Sequence, residues 1–380
     1  MDKNELNRMF DGLSPDPARE KELLRQLLQD DVRRNRPMKN WKRVAIGVAA
    51  AALLVTGAAA ATVTGVSQRL LAYLGVAPED SQAAELLIPG AMAVDITKED
   101  NGAVFHVSQV LRDRTSIMVL IDFTAPEGTS LWMGERDGED PIYGSKRFYE
   151  GGGHYFMDEA GEKIDLGVYG SYIYEWEFLE DDDPADNHVS AIFLVKLPQG
   201  GLLDGQAASM HLPAGPLAYS TMKKEAETWM PHGFTLYSGD WSCDVPLPQK
   251  DIGWSQQADT FVTQLDGANI TLKEVYLSPV NLLVTFDREG GEQLGGDVEV
   301  RWWYLLNLSE DDITIKDRDG NLVPLAPAYL GSGNIGEEAL LMYRLAEVTD
   351  PTRLQGGSVT FNLSCGAVTL PLDDLAPVEP

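Results

Sequence analysis

Histidine and cysteine, which often carry catalysis or bind metals, are sparse and dispersed in this sequence. No two histidines have a metal-ligand spacing such as HxxxH or HExxH; the five are His106, His154, His188, His211 and His232. The sequence has no GxSxG nucleophile elbow, no GxxxxGK[ST] phosphate loop and no CxxC pair. We therefore predict a protein that is not an enzyme and has no metal site and no cofactor. For His106, in an alternating strand, we predict a structural role.

Two acidic stretches and an aromatic pair are the remaining candidates for a ligand site. "EDDDPADN" (180–187) and "DRDGN" (317–321) supply oxygen atoms that suit Ca²⁺, but neither has the spacing or the distal glutamate of an EF-hand loop. We interpret both as solvated turns. In "RWWYLLNL" (301–308), an alternating strand would turn one of the adjacent tryptophans outward, where it is either covered by a loop or free to stack on a sugar.

The stretch "NWKRVAIGVAAAALLVTGAAAATVTGV" (40–66) determines which side of a membrane the rest of the chain is predicted to occupy. Residues 44–66 carry no charge, and as a helix they would be about 34 Å long, enough to cross a hydrocarbon core of about 30 Å. The alanine content leaves a cleaved signal peptide and a buried core helix as alternatives. Because 43 residues precede it, many more than a secretory n-region has, we predict a transmembrane helix.

Charge is distributed unequally on the two sides of this segment. Of the 30 Lys+Arg and 59 Asp+Glu in the chain, residues 1–43 hold 11 and 8, which leaves 19 and 51 for the remainder. Basic residues crowd the N-terminal flank, so the positive-inside rule places the N-terminus in the cytoplasm and the C-terminal part outside the cell. Nucleic acid and anionic lipid would repel so acidic an outer part, and we expect neither as its partner.

Two cysteines, Cys243 and Cys365, are present, and both lie on the predicted oxidising side. A disulfide between them is permitted there and would join the last parts of two domains. Two buried, unpaired thiols are the alternative.

The 43 residues before the membrane segment predict two short amphipathic helices. The first has apolar residues at i, i+3, i+4 and i+7, and the second begins at the N-cap Asp16 with Pro17 in its first turn. Their apolar residues are Leu6, Met9, Phe10 and Leu13, then Leu23, Leu24, Leu27 and Leu28. Chains below about 40 residues seldom fold unaided, so we expect these stripes to contact a partner, the membrane surface or a second copy.

An internal repeat organises the outer part, which follows a juxtamembrane helix and connector (67–84). "NGAVFHVSQVLRDRTSIMVLIDF" (101–123) aligns without a gap on "DGANITLKEVYLSPVNLLVTFDR" (266–288) at an offset of 165, and the apolar alternation is preserved. Further on, "FMDEAGEKI" (156–164) resembles "IKDRDGNLV" (315–323), a hairpin turned at Gly161 or Gly320.

We therefore predict a mainly β protein with two tandem β-sandwich (immunoglobulin-like) domains, 85–248 and 258–380, joined by a linker at 249–257. The first domain contains "YSTMKKEAETWMPHG" (219–233), to which we assign helical character.

Several of these stretches together resemble a family of single-pass membrane proteins of Gram-positive bacteria whose ectodomain is a domain of unknown function (family 4179 type). They are "WKR" (41–43), "QRLLAYLG" (68–75) and the "V.LSP..L.V.F" pattern within 274–286. The resemblance implies an anti-sigma-factor-like role, in which a cytoplasmic sigma factor is bound by Leu6, Met9, Phe10, Leu23, Leu24, Leu27 and Leu28. Residues 1–43 contain neither the His nor the CxxC of zinc-type anti-sigma domains, so this binding would need no zinc.

The prediction is thus a non-enzymatic cell-membrane protein that transmits an envelope signal to a cytoplasmic partner. The small-xxx-small spacings Gly47/Ala51, Gly57/Ala61 and Ala61/Gly65 permit a homodimer through the membrane helix. The main alternative is an envelope adhesion or glycan-binding protein whose N-terminal segment only directs insertion. An extracellular hydrolase would require clustered carboxylates in a cleft.

Overall fold

The computed structural model describes residues 65–77, 80–131, 139–149, 153–164, 173–179, 183, 186–197, 206–225, 228–265, 268–290, 310–335, 338–363 and 366–378. The predicted cytoplasmic helices (1–43), and all but the last two residues of the predicted membrane segment (44–66), lie outside these ranges. None of the helices within the ranges is both long and apolar enough to span a bilayer.

The described ranges contain three short α-helices: α1 (Gln68–Tyr73), α2 (Ser81–Leu87) and α3 (Pro351–Leu354). Helix α1 lies within 67–84, where the sequence predicts a juxtamembrane helix and connector. The Asp80 carboxylate caps α2 by accepting a hydrogen bond from the Ala83 amide at 2.9 Å. A 3-10 turn, Ile88–Gly90, leads from α2 into the first strand, and another covers Glu310–Asp312.

Antiparallel sheets dominate the described chain, which confirms a mainly β fold, and the first eleven strands form what we call the first β unit. They are β1 (Ala91–Asp100), β2 (Ala103–Arg112), β3 (Ser116–Thr124), β4 (Glu139–Phe148), β5 (Tyr155–Met157), β6 (Ile173–Phe178), β7 (His188–Lys196), β8 (Ser209–Leu212), β9 (Leu217–Glu225), β10 (Thr228–Tyr237) and β11 (Cys243–Pro246). Their sheets have the orders β1-β2-β3-β7-β6, β10-β9-β4 and β11-β8-β5.

The remaining strands form the second β unit. They are β12 (Trp254–Leu265), β13 (Ala268–Leu277), β14 (Asn281–Glu289), β15 (Ile313–Lys316), β16 (Leu322–Val323), β17 (Leu325–Ile335), β18 (Glu338–Leu345), β19 (Ser358–Leu363), β20 (Gly366–Pro371) and β21 (Ala376–Pro377). Their sheets have the orders β17-β18-β14-β13-β12-β21 and β16-β15-β19-β20. The order β12-β13-β14-β18-β17 thus reproduces β1-β2-β3-β7-β6 of the first unit.

The repeat found in the sequence is preserved in strand register. Val110 pairs with Val119 in the first unit, and Val275 pairs with Val284 in the second, so both partners differ by the same offset of 165. Each strand pair also has a β-bulge at the equivalent place, between Val107 and Gln109 and between Leu272 and Glu274. Because a bulge re-aims every side chain beyond it, its recurrence indicates that the two units share one strand geometry.

The predicted hairpin turns are confirmed at both equivalent positions. Gly161 and Gly320 have φ of 80° and 83°, the left-handed conformation that glycine adopts without steric cost. Before each glycine an aspartate orders the turn: Asp158 Oδ1 accepts from the Glu162 amide at 2.9 Å, and Asp317 Oδ1 accepts from the Asn321 amide at 2.8 Å.

Each unit has its own apolar core. The core of the first unit is rich in aromatic rings, among which Phe123 and Trp241 pack edge to face with centroids 4.9 Å apart. In the second unit Phe286 and Phe361 pack in the same manner at 5.9 Å. In β19, which carries Phe361, burial alternates along the strand and places this ring on the inward face.

The helical character assigned to residues 219–233 is wrong, because this segment contributes to the hairpin of β9 and β10. Met222 pairs with Pro231 and Tyr219 with Phe234 in one antiparallel ladder. Helix-favouring Lys, Glu and Ala residues suggested the helix, but β9 pairs with β10 in this hairpin and with the distant strand β4 on its other edge. Pro231 is itself unfavourable in a helix interior.

Candidate functional site at the seam between the β units

The outer faces of the two large sheets meet along a buried surface that we call the seam. The sheet of the first unit contributes Leu111, Met118, Leu120, Ile192 and Leu194, and that of the second contributes Tyr276, Val280, Leu283, Leu340 and Met342. Helices α1 and α2 and their flanks fill the same cluster with Val66, Leu70, Leu71, Leu74, Val76, Ala83, Ala84 and Leu87. Val66, the last residue of the predicted membrane segment, therefore lies in the seam. Burial of this much apolar surface is the main stabilising contribution here.

A polar network crosses the seam and is centred on Asp113, which is 2% exposed. Asp113 Oδ1 accepts hydrogen bonds from the amides of Thr115 and Ser116, both at 2.7 Å. Its Oδ2 accepts from Ser278 Oγ at 2.5 Å and from Asn281 Nδ2 at 2.9 Å, both in the second unit. The buried carboxylate is thus compensated by donors from both units, as a buried charge requires.

A second polar contact lies beside the first. Arg114 forms a fork with Glu274, with Nη1 to Oε1 at 2.6 Å and Nη2 to Oε2 at 3.1 Å. Tyr276 Oη accepts from the Arg114 amide at 3.1 Å and donates to Asp251 Oδ1 at 2.6 Å. Burial, and then the negative charges of Asp113 and Asp251, raise the pKa of Tyr276 well above its ordinary value, so its phenol stays protonated and remains a donor.

The N-terminal end of α1 is held by the first unit. Arg69 forms an ion pair with Asp122, whose side chain is 3% exposed, through Nη1 to Oδ1 and through Nη2 to Oδ2 at 2.8 Å. Ser190 Oγ accepts from Arg69 Nη1 and donates to Asp122 Oδ1, both at 2.7 Å. Although burial alone would raise it, hydrogen bonds from His188 and Arg69 hold the pKa of the Asp122 carboxyl well below its usual range. Because Ser190 donates to a carboxylate and not to an imidazole, this cluster binds a helix and does not activate a nucleophile.

Gln109 and Arg344 hold the two flanks of α1. Gln109 Oε1 accepts from the Ser67 amide at 2.6 Å, and its Nε2 donates to the Gly65 carbonyl at 2.8 Å. At the other end Arg344 Nη2, in the second unit, donates to the Tyr73 carbonyl at 2.7 Å, and the guanidinium lies 4.5 Å from the Tyr73 ring centroid. Helix α1 is therefore fixed to both β units.

The other sequence-based candidates are explained individually. His106 is 6% exposed, with Nε2 3.0 Å from Asp95 Oδ1, which agrees with the predicted structural role. Asp317 is occupied by its own turn and by Arg353 Nη2 at 3.0 Å, and these hydrogen bonds, led by that from the Asn321 side chain, lower its pKa to about 2. Within the described ranges, no group of three or more His, Cys, Asp or Glu side chains is placed to hold a metal ion.

Most of the residues that the sequence predicts to bind a partner or a ligand lie outside the described ranges. The leucines and aromatic residues of the N-terminal helices, the aromatic pair in 301–308 and most of 180–187 lie outside the described residues. So does Cys365, which leaves the disulfide a prediction. Cys243 is 3% exposed in the first core, and burial raises the pKa of its thiol to about 11.

Sequence analysis missed Asp113, Arg69 and Arg344, which carry the geometry of the seam. One signal was present, since Asp113 and Ser278 are polar residues at the same position of an otherwise apolar repeat. Nothing comparable marked the contact between Arg69 and Asp122, which are 53 positions apart.

Comparisons with known proteins assign no family to the chain and find only distant structural similarity. No family model matches the chain, and no curated protein matches it. The crystal structure of the conserved domain protein from Bacillus anthracis is 11% identical, with 71% of this chain aligned to 76% of that chain and a TM-score of 0.38. The N-terminal periplasmic domain of ScsB from Proteus mirabilis is 9% identical, with 76% of this chain aligned to 99% of that chain and a TM-score of 0.16. Similarities this low carry no argument about function.

Proposed function

We propose that the protein is a single-pass membrane regulator of the anti-sigma-factor type. Its N-terminal helices would lie in the cytoplasm and two immunoglobulin-like β-sandwich domains, 85–248 and 258–380, outside the cell. A sigma factor would be bound through Leu6, Met9, Phe10, Leu23, Leu24, Leu27 and Leu28. The observation that carries the proposal is the fixing of α1 to both β units, because α1 begins two residues after the predicted membrane segment.

A protein that only displays a binding domain needs no more than a flexible tether, of the kind that glycine-rich and serine-rich linkers provide. In this chain the residues that would leave the membrane enter a helix whose two leucine side chains are buried, Leu70 completely. Ion pairs and hydrogen bonds hold both of its ends. A change in the position of one β unit therefore has a short, packed route to the membrane segment. This favours a signalling role over simple adhesion.

The proposal is tested by copurification of sigma factors with the tagged full-length protein from membranes of the source cells. The matched variant has alanine at Leu23, Leu24, Leu27 and Leu28, and membrane insertion of both proteins is checked by fractionation. We expect a sigma factor to copurify with the native protein, and the amount that copurifies with the variant to be at least tenfold lower. Retention of none by the inserted native protein would overturn the proposal, and binding of wall polysaccharide to the same preparation would then favour the adhesion alternative.

A further inference from the structure

Arg344 lies where the polar centre of the seam meets helix α1. Across the β14–β18 ladder it is the direct partner of Asn281, whose side chain donates to Asp113 Oδ2 and to Ser116 Oγ, both at 2.9 Å. From the same strand position Arg344 reaches the Tyr73 carbonyl and stacks on the Tyr73 ring. One pair of strand neighbours therefore contacts both the opposite β unit and α1.

The equivalent residue of the first unit has a different partner. Lys196 is the β3–β7 partner of Ser116, as Arg344 is the β14–β18 partner of Asn281. The Lys196 ammonium Nζ lies 2.8 Å from Glu175 Oε2, so its partner is within the first unit. At the seam centre equivalent positions of the two copies contact each other, whereas the two equivalent basic residues have different partners. An arginine suits the α1 position because it can donate to a carbonyl and stack on an aromatic face at the same time.

The end of α1 that Arg344 contacts also faces the first unit. Burial and then the charge of Glu177, on β6, raise the pKa of Tyr73 far above its ordinary value, so the phenol stays neutral beside both units. At the other end, Arg69 is bound to Asp122 and Ser190 of the first unit. The second unit thus acts on the C-terminal end of α1, while the first unit anchors its N-terminal end.

We propose that Arg344 is the positioning residue through which the second β unit controls the docking of α1. The inference rests on the proposed signalling function and names its coupling element. When the seam loosens, Asn281 and Arg344 move together, and the C-terminal turn of α1 loses its hydrogen bond and its stacked cation. The Arg69 end stays bound, so the change is a partial release of the helix.

Hydrogen exchange on the detergent-solubilised full-length protein tests this. The reporters are the amides of Leu74 and Val76, which donate to the Leu70 and Leu71 carbonyls. We expect Asn281→Ala and Arg344→Ala each to raise exchange at these amides at least threefold, and the double variant to raise it no further than the larger single effect. Lys273→Ala, which removes an exposed ion pair with Asp259 of the second unit, is the control and should leave them unchanged.

Multiplied effects in the double variant would overturn the proposal, because they would mean that seam and Arg344 act on α1 independently. An unchanged exchange rate in Arg344→Ala would overturn it as well.

If Asn281→Ala does not fold, Ser278→Ala loosens the seam more mildly. Arg344→Lys should restore part of the protection, because it keeps the charge over the Tyr73 ring. The amide of Val119, in the first core, reports global opening, and the rise at Leu74 and Val76 should exceed any rise at Val119 in each seam or Arg344 variant that folds. If the exchange results contradict the proposal while the native protein still retains a sigma factor, only the role of Arg344 is excluded. If the native protein retains no sigma factor but the exchange effects are coupled as expected, only the proposed function is excluded.

Discussion

Asp113 and Ser278 occupy the same position in the two copies of the internal repeat, and they are hydrogen-bonded to each other across the seam at 2.5 Å. Ser116 and Asn281 are likewise equivalent and likewise bonded, at 2.9 Å. Contacts between equivalent positions are the mark of a local twofold axis, as in the isologous interface of a homodimer. The seam therefore has the geometry of a dimer interface enclosed in one chain.

Removing the carboxylate at the seam centre should destabilise the protein strongly. Asp113→Ala leaves Ser278 Oγ, Asn281 Nδ2 and two backbone amides without their buried acceptor, and we expect the free energy of unfolding to fall by about 3 kcal/mol. Ser278→Ala removes one donor to Asp113 and the acceptor of the Val280 and Asn281 amides, and should cost about 2 kcal/mol. Urea denaturation followed by tryptophan fluorescence measures both. A loss for Asp113→Ala no larger than that for Ser278→Ala would contradict a network centred on Asp113.

Adding a methyl group at Gly253, in the linker beside the seam, should also destabilise the protein. A Cβ on Gly253 would lie 2.1 Å from the Tyr276 ring, which is buried and held by Asp251. Because the ring cannot retreat, Gly253→Ala should lower the free energy of unfolding by about 2 kcal/mol. Gly233→Ala is the control, since its added Cβ would make ordinary contacts at 3.6 Å. Equal thermal midpoints for the two variants would show that the packing of Tyr276 against the linker is dispensable.

The features that sequence analysis predicted correctly are local or periodic. The turns at Gly161 and Gly320 follow from an aspartate three residues before a glycine, and the repeat is preserved because a one-residue slip would expose each core face. The mainly β fold follows from the same alternation. These signals need no knowledge of which strands meet.

The seam could not be predicted in this way because it depends on distant residues meeting. Arg344 and Tyr73 are 271 positions apart, and no local pattern links them. The error at 219–233 has the same origin, since pairing with a distant strand overrode a helical composition. The sequence did mark Asp122 and Asp287 as equivalent, but the structure gives Asp122 alone the Arg69 contact.

The ion pair between Arg69 and Asp122 should make stability depend on pH in the acid range. The pKa of Asp122 is lower in the folded than in the unfolded chain, so its contribution is complete above the unfolded value, near 4, and is lost as the pH falls through the folded value. Asp122→Asn should therefore lower the free energy of unfolding by about 3 kcal/mol at pH 7. Below about pH 4 the difference between Asp122→Asn and the native protein should shrink.

Urea denaturation between pH 2.5 and 7 checks this prediction. The control is Asp287→Asn, at the equivalent position of the second unit, where the side chain is 29% exposed and lies 3.7 Å from Lys273. A partly exposed ion pair contributes at most about 1 kcal/mol. A difference for Asp122→Asn that stays constant down to pH 2.5 would show that the carboxylate charge is not what stabilises docked α1.

The state of Cys243 is open to a direct chemical test. Since burial raises the pKa of its thiol to about 11 and leaves it 3% exposed, we expect alkylation by iodoacetamide at pH 8 to be at least tenfold slower in the native protein than in the unfolded chain. Unfolding without reductant then separates the two predicted states of the cysteines. Labelling of Cys243 and Cys365 would establish two thiols, whereas labelling that appears only after reduction would establish the disulfide. Fast labelling of Cys243 in the native state would contradict its burial in the first core, where it is the first residue of β11.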